Sequence, residues 1–458
     1  MAAGAYHNAL SGSRVSAMVA ALTPPYPNAV DPDKGIVSRE IFVSDAVYRN
    51  ELERVFGRMW LLVGHASLIP NPGDFFVSRM GEESVILCRD RAKAIHVFLN
   101  TCRHRGMKVC RYDQGNTPLF TCPYHAWSYG TDGQLIGVPQ NDKLYSGVLD
   151  RAQWSLIEVA QMQNYKGSIW ATWDPEAPSF IEYLGDAKQH LDFALDARDG
   201  RAGGSEVICG VQKWVVPSNW KFAAENFLGD TYHNVSHRSV DLIGIGPSAR
   251  SGVKGRRDPY QEGGYDIWVN YPEGHGLHSI MRAPANDYIP AFRDNPAIES
   301  YYEACHTARK ARLGEAARLV ALTGTVFPNT SYHGNQPRSL FVWHPNGAMS
   351  TEVWRFFLVD ADAPAEVKAF LRSYYMRYSG PAGMTEQDDM ENWNYATAAS
   401  AGTIARRYPY NYQQSMNAIQ HNDPVPGRVS LQITEENARN FYRRWQDCMN
   451  ATSWSVLR

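Results

Sequence analysis

No stretch of this sequence approaches the ~20 consecutive apolar residues that cross a bilayer. Charge of one sign is not in excess either: 45 Lys+Arg stand against 47 Asp+Glu, for a formal net charge of −2. The composition therefore offers no basic face for nucleic acid and no polybasic membrane anchor. Cysteines are few and odd in number, seven in 458 residues, at 88, 102, 110, 122, 209, 305 and 448. That is not a disulfide framework, and it suits a reducing cytoplasm in which thiols serve as metal ligands or core filler. Arg14 precedes a short apolar stretch, Val15 to Leu22, but the run stops at Thr23-Pro24-Pro25. It reads as a surface arm, not a secretory leader. Internal repeats and low-complexity tracts are lacking as well.

What is there is the profile of a globular protein long enough for two or three domains. Aromatics reach 12%, with 13 Trp and 25 Tyr, which fits large apolar interiors. Residues 44–56 open with Ser44 as an N-cap and carry Val47, Val55 and Phe56 on a short helix. From about Trp60 the pattern changes to short strand-like runs: Phe75-Phe76-Val77, Ser84 to Cys88, Ile95 to Leu99 and Ser168 to Trp173, with a turn at Asp132-Gly133. This predicts a small all-β region over residues 58–178. Farther on, Ser339 to Trp343 and Val353 to Val359 read as strands. A helix follows Asp362, with Pro364 in its first turn and Val367, Phe370, Leu371, Tyr374 and Tyr375 on one face. The expected fold class is α+β: a small all-β unit inserted in a larger α+β domain whose mixed or antiparallel sheet is flanked by helices. Residues 1–57 form the arm and first helix of the larger domain, and 179–458 form the rest of it.

Two constellations carry chemistry. In the first, Cys102-x-His104 is followed after 17 residues by Cys122-x2-His125. Each half pairs a soft thiolate with an imidazole, as two loop tips would when clasping a metal from opposite sides. Structural zinc is the plain alternative, but zinc knuckles usually keep both Cys together. One of each per loop matches a cluster in which one iron takes both Cys and the other both His.

In the second, Asp230, His233 and His237 lie three and four residues apart, so on a helix all three would share a face. Two imidazoles and a carboxylate that leave coordination positions open are the donor set of non-haem Fe(II) oxygenases. A structural His pair is the alternative. A zinc hydrolase lacks its H-E-x-x-H pattern, because Asn234 follows His233.

The first row, with Arg103, Arg105-Gly106 and Pro123-Tyr124-His125-Ala126-Trp127, resembles the Rieske [2Fe–2S] motif. Met107 and Tyr124 stand where respiratory Rieske proteins carry a disulfide, so the resemblance is to the oxygenase and ferredoxin branch. Cys110 then reads as core filler. Asn219-Trp220-Lys221 through Glu225-Asn226 to Asp230-x-x-His233 resembles the catalytic signature of Rieske aromatic-ring-hydroxylating dioxygenases, large subunit. Glu386-Gln387-Asp388-Asp389-x-Glu391-Asn392-Trp393 resembles the segment that supplies their carboxylate ligand.

That resemblance implies one Rieske cluster on Cys102, His104, Cys122 and His125. It also implies one mononuclear Fe(II) on His233, His237 and Asp389, with Asp388 the competing ligand. Asp230 becomes a bridging carboxylate toward the neighbouring subunit's cluster, with His125 as acceptor. Asn226 and Phe227 become substrate-pocket residues. The implied reaction adds both atoms of O2 to an aromatic ring to give a cis-dihydrodiol, with NADH-derived electrons passed through a reductase or ferredoxin. An α trimer, or α3β3 with a small β subunit, in the cytoplasm completes the expectation, with neither nucleic acid nor membrane as partner. The three residues between His233 and His237 are fewer than usual in the family, which bears on local helix shape.

Ser379 and Thr385 replace bulky residues of hydrocarbon enzymes, and Thr330 to Gln336 is polar. A bulky or polycyclic arene is the expected substrate. An aromatic carboxylate, with Arg338 as its partner, is the alternative. A Rieske monooxygenase or demethylase and a plain electron carrier are the competing functions.

Overall fold

The computed structural model describes residues 29–196, 204–242, 264–290, 292, 294–417 and 425–457; the N-terminal arm reading of residues 15–25 lies outside them. The helix expected over residues 44–56 starts at Asp45–Glu51, where Ser44 accepts the Val47 N–H at 3.5 Å, then widens into a π-helical turn over Leu52–Phe56. Val47, Val55 and Phe56 are buried, as the apolar spacing predicts.

The strand-like runs after Trp60 form three small antiparallel sheets. One holds Ile95–Leu99, Glu83–Arg89, Asp74–Met80 and Gln114–Asn116 in that order. A second holds Leu135–Gly137, Ser128–Gly130 and Leu119–Thr121, and a third Gln161–Tyr165, Ser168–Thr172 and Leu61–His65. Their side chains divide between two cores. Phe75, Ile86, Phe98, Phe120, Trp127 and Tyr129 pack around Cys102 and Cys122. Val63, Leu87 and Trp170 instead share one apolar cluster with Phe341, Trp343 and Trp445 of the larger body. The β region is therefore seated on that body through side chains that never leave its core.

The larger body is built on an eight-stranded antiparallel sheet. In chain order its strands are β1 (Ser205–Val216), β2 (Tyr265–Asn270), β3 (Gly276–Met281), β4 (Leu319–Val326), β5 (Thr330–His333), β6 (Ser339–Pro345), β7 (Thr351–Asp360) and β8 (Arg428–Ser430). They lie in the order β1-β7-β6-β5-β4-β3-β2-β8. Every pairing is antiparallel, which decides between the mixed and antiparallel sheets expected.

Four helices matter to the site: α1 (Trp220–Asn226), α2 (Ala365–Tyr378), α3 (Glu386–Ser400) and α4 (Glu436–Asn450). On α2, Val367, Leu371 and Tyr375 are buried as the periodicity predicts, but Pro364 is the N-cap and does not enter the first turn. Asn437 on α4 donates to the carbonyls of Leu228 and Leu277 at 2.7 and 3.1 Å, tying the segment after α1 to the sheet. No helix among the described residues is long and apolar enough to cross a membrane.

Candidate metal centres and their surroundings

The segment that bears the first histidine pair starts at α1, whose N-cap Asn219 accepts the Lys221 N–H at 3.0 Å. After α1 the chain turns at Gly229, with φ +104°, a conformation that favours glycine. The turn brings the Gly229 carbonyl 2.8 Å from the Trp268 indole N–H, so the chain lies directly on the sheet. A 3₁₀ helix, Tyr232–His237, then carries both histidines, where the spacing led us to expect one face of an α-helix. With only three residues between them, the tighter winding still lets both rings swing to one point: their Nε2 atoms are 3.3 Å apart. Asp230 lies outside that helix, with its side chain about half exposed, and does not join the pair as a third donor.

The third donor comes from α3. Asp388 and Asp389 occupy its first turn, where the helix dipole favours carboxylates. Being adjacent, they point about 100° apart around the helix. Asp389 Oδ1 lies 3.2 Å from His233 Nε2 and 3.4 Å from His237 Nε2. Asp388 Oδ2 lies 3.3 Å from His237 Nδ1, on the far side of the same ring. The sequence left these two acids competing for one role; here they take separate positions on His237.

Three donor atoms thus form a triangle with edges of 3.2, 3.3 and 3.4 Å. Despite this proximity, Asp389 Oδ1 is buried without a hydrogen-bond partner of proper geometry. One ligand atom from each of three side chains converging on a buried spot is a donor set that a divalent ion would fit. A first-row metal about 2.1 Å from each nitrogen and oxygen touches all three, and the set suits non-haem iron. Burial opposes charge at His233, yet the Asp230 and Asp389 carboxylates override it and raise the imidazole to about 10. Burial likewise opposes ionisation of Asp389, but contacts with His233 and His237 hold it down at about 2.

The four Cys and His residues of the β region sit on two loops built alike. In the first, Cys102 N–H donates to the Met107 carbonyl at 2.8 Å and Gly106 N–H to Cys102 at 3.0 Å. In the second, Cys122 N–H donates to Trp127 at 2.8 Å and Ala126 N–H to Cys122 at 3.0 Å. Gly106 and Ala126, at the matching position, both have positive φ. Both cysteines are buried, while His104 and His125 are half-exposed with ring centroids 4.5 Å apart. His104 stacks on Trp127, and its Nδ1 is buried without a partner.

Burial pushes the Cys122 thiol up, against the backbone N–H groups of Tyr124 and His125, which favour a thiolate. Two sulfurs inside and two imidazoles outside suit a [2Fe–2S] cluster with one iron on each pair. Tyr129, fully buried, places its hydroxyl 3.3 Å from Cys102 Sγ. All seven cysteines are free, and Cys110 is buried with its thiol toward the Tyr112 carbonyl.

The pocket residues suggested by the sequence are partly gathered here. Phe227 packs on His333, Phe341 and Trp343, with centroids 5.0, 4.5 and 5.4 Å away. Ser379 and Thr385 are buried beside α3, and Thr385 donates to the Tyr378 carbonyl. Arg338 is not a substrate partner: it is buried and paired to Asp360 at 3.0 Å. Nor is it the surface residue that a lone strand arginine usually is. Sequence reasoning missed Arg355, fully buried and bonded to Glu386 one turn before Asp389. The signal was present in Val353-Trp354-Arg355-Phe356-Phe357, an arginine in an otherwise apolar run.

Comparison with known proteins gives two family matches: the Rieske [2Fe–2S] domain over residues 59–159 and the ring-hydroxylating alpha subunit catalytic domain over 182–451. The biphenyl dioxygenase alpha subunit of Paraburkholderia xenovorans (strain LB400) is 38% identical over 94% of both chains. The benzene 1,2-dioxygenase alpha subunit of Pseudomonas putida is 37% identical over 93% of this chain and 94% of its own. Among solved structures, naphthalene 1,2-dioxygenase with indole in its active site superposes with a TM-score of 0.85 at 29% identity, covering 95% of this chain and 97% of that one.

Proposed function

The chain belongs to the ring-hydroxylating dioxygenase alpha subunits, and from that premise we propose that it adds both atoms of O2 to adjacent carbons of a bulky or polycyclic arene, giving a cis-dihydrodiol. The observation that carries this reading is the triangle of His233 Nε2, His237 Nε2 and Asp389 Oδ1, with edges near 3.3 Å. An electron carrier has no use for it. We assign the Rieske unit to residues 58–178 and the catalytic unit to 1–57 with 179–458.

His233, His237 and Asp389 would hold the mononuclear iron, and Cys102, His104, Cys122 and His125 the cluster. When bound, the cluster supplies single electrons and the iron supplies O2 activation beside the ring. The chain's own contributions are orientation and exclusion. Asp388 at His237 Nδ1 keeps that proton on the far nitrogen and frees Nε2 as a ligand. Asp230 Oδ2 lies 3.5 Å from His233 Nδ1, a carboxylate beside the second ring that is not hydrogen-bonded to it. Its half-exposed side chain is also free to meet His125 of a neighbouring copy, consistent with an α trimer that exchanges electrons between subunits.

Phe227, with Phe341 and Trp343, offers the flat apolar wall on which an aromatic ring rests. Electrons would reach His104 and His125 from a ferredoxin or reductase, and a small β subunit would complete an α3β3 hexamer. Incubation of the reconstituted system with 18O2, NADH, redox partners and naphthalene should give a doubly labelled cis-diol. A singly labelled phenol, or an aldehyde released from a methyl substituent, would sink the dioxygenase reading.

A further inference from the structure

The sheet face beneath the metal-bearing elements is not uniformly apolar. One cross-strand row runs Gln212 (β1), Arg355 (β7), Phe341 (β6), Ser331 (β5) and Thr325 (β4). Directly paired residues share a face, and the neighbours of this row fix which one. Thr325 donates to the Ala224 carbonyl of α1 at 2.7 Å, Phe341 touches Phe227, and Arg355 donates to Glu386 of α3. The row therefore faces α1 and α3. At the Thr325 end its polar atoms satisfy each other, since the Thr325 and Ser331 hydroxyls lie 2.8 Å apart.

At the other end they do not. Arg355 is fully buried, with its guanidinium 3.8 Å over the Phe341 ring, and only Nη1 has an acceptor; Nε and Nη2 are buried without a partner. Ser379, just past α2 and 1% exposed, has a buried hydroxyl with no partner. Gln212, directly across from Arg355, has a buried Oε1 in the same condition and packs against Gly380. Buried polar groups that find no protein partner lose their hydration without return, so a cluster of them has donors and acceptors to offer a bound oxygen. Arg355 donates to Glu386, one helical turn before Asp389 on α3, which sets this end of the row near the third corner of the donor triangle.

Charge narrows what that occupant is. Glu386 already neutralises Arg355, so an anion would leave an uncompensated buried charge. A neutral oxygen suits the site better. It can accept from Nε or Nη2, and a hydroxyl can also donate to Gln212 or Ser379.

We propose that Arg355, with Ser379 and Gln212, forms a polar subsite of the substrate pocket that receives a neutral oxygen substituent of the arene, a carbonyl, ether or hydroxyl. The subsite selects among arenes and orients the one it holds, and it rests on the arene-dioxygenase reading given above. Filling the same place with water alone would leave the enzyme indifferent to such a substituent.

Fluorene and fluorenone, which share one tricyclic frame and differ by a carbonyl, test this directly. Their dissociation constants are measured anaerobically on the oxidised holoenzyme, by quenching of tryptophan fluorescence. The wild type should bind the ketone about tenfold more tightly. That ratio should fall to about 1 in Arg355→Leu/Glu386→Gln, which removes both charges together, and should fall part of the way in Ser379→Ala.

Equal wild-type affinities, or a ratio unchanged in both variants, would overturn the proposal. If the double variant does not fold, an unchanged ratio in Ser379→Ala overturns it. Tighter binding of a fluorenone carboxylate than of fluorenone itself would overturn the neutral class. Naphthalene turnover by the wild type is followed in parallel. Loss of diol formation there would refute the reaction assignment, whereas intact diol formation with no ketone preference would refute only the subsite.

Discussion

Glu225 lies on α1 five residues before Asp230, and the environment of its carboxyl makes a measurable demand. The residue keeps partial solvent contact, but its carboxyl end is enclosed between two phenols. Tyr412 donates to it at 2.9 Å and Tyr442 also donates to it. Burial raises this acid from 4.5 to about 8; the tyrosine hydroxyls pull it down, while Asp230 and Glu435 push it further up.

A folded-state pKa above the unfolded one means that the native chain holds a proton the unfolded chain has lost. The associated stability is complete below pH 4.5 and is lost as pH rises through 8, the reverse of a salt-bridged carboxylate. At roughly 1.4 kcal/mol per pH unit, the change from pH 6 to pH 8 costs about 2 kcal/mol. Glu225→Gln keeps a neutral acceptor for the two phenols and cannot ionise. Urea unfolding followed by tryptophan fluorescence at both pH values should show the wild type losing about 2 kcal/mol more than the variant between them. Parallel losses in wild type and variant would refute a protonated Glu225 in the fold.

Removing the third donor should be visible by metal analysis before any assay: Asp389→Ala should drop bound iron from about three to about two per chain, leaving the cluster spectrum intact. Asp388→Asn should retain the site but weaken Fe(II) affinity about 10- to 100-fold, because His237 loses the carboxylate that orients it. An affinity equal to wild type would assign Asp388 to the surface. Tyr129→Phe removes a hydrogen bond that favours the more negative, reduced cluster, so its reduction potential should fall by tens of millivolts in a redox titration. Asp230→Asn should leave iron content near wild type while slowing single-turnover oxidation of the reduced cluster in the presence of substrate; unchanged kinetics would remove Asp230 from the electron route.

The candidate donors that the structure brings together were legible in the sequence where local spacing limits geometry. Cys102 and His104 lie two residues apart and Cys122 and His125 three, so a single loop tip must present each pair. The positive φ at Gly106 and Ala126 is how each tip achieves it. His233 and His237 were equally confined by their separation, although an α-helical face was the wrong geometry: the segment is 3₁₀. Asp389 lies far along the chain, and its neighbour Asp388 has the same chemistry. Residue type alone could not separate them; the direction of each side chain around α3 sets Asp389 toward both Nε2 atoms and Asp388 toward His237 Nδ1.

Cross-strand register is where one-dimensional reading stops. Side chains alternate faces along a strand, so the face of Arg355 depends on the pairing of β7 with β1 and β6, not on its immediate neighbours. The bulge in β1 between Ile208 and Gln212 shifts that pairing by a further step. The same uncertainty misdirected the reading of Arg338. On β7 the Asp360 carboxylate lies within its reach and takes Nη2, which leaves Nε as its buried nitrogen without a partner. Arg355 is as deeply buried and also has one carboxylate, yet both its Nε and its Nη2 are without a partner, on a side chain held through Glu386 one helical turn from Asp389. What separates a structural arginine from a ligand-binding one is therefore not charge or burial. It is how many donors the fold leaves unused and which face of the sheet they occupy, and both are fixed only after the strands have paired.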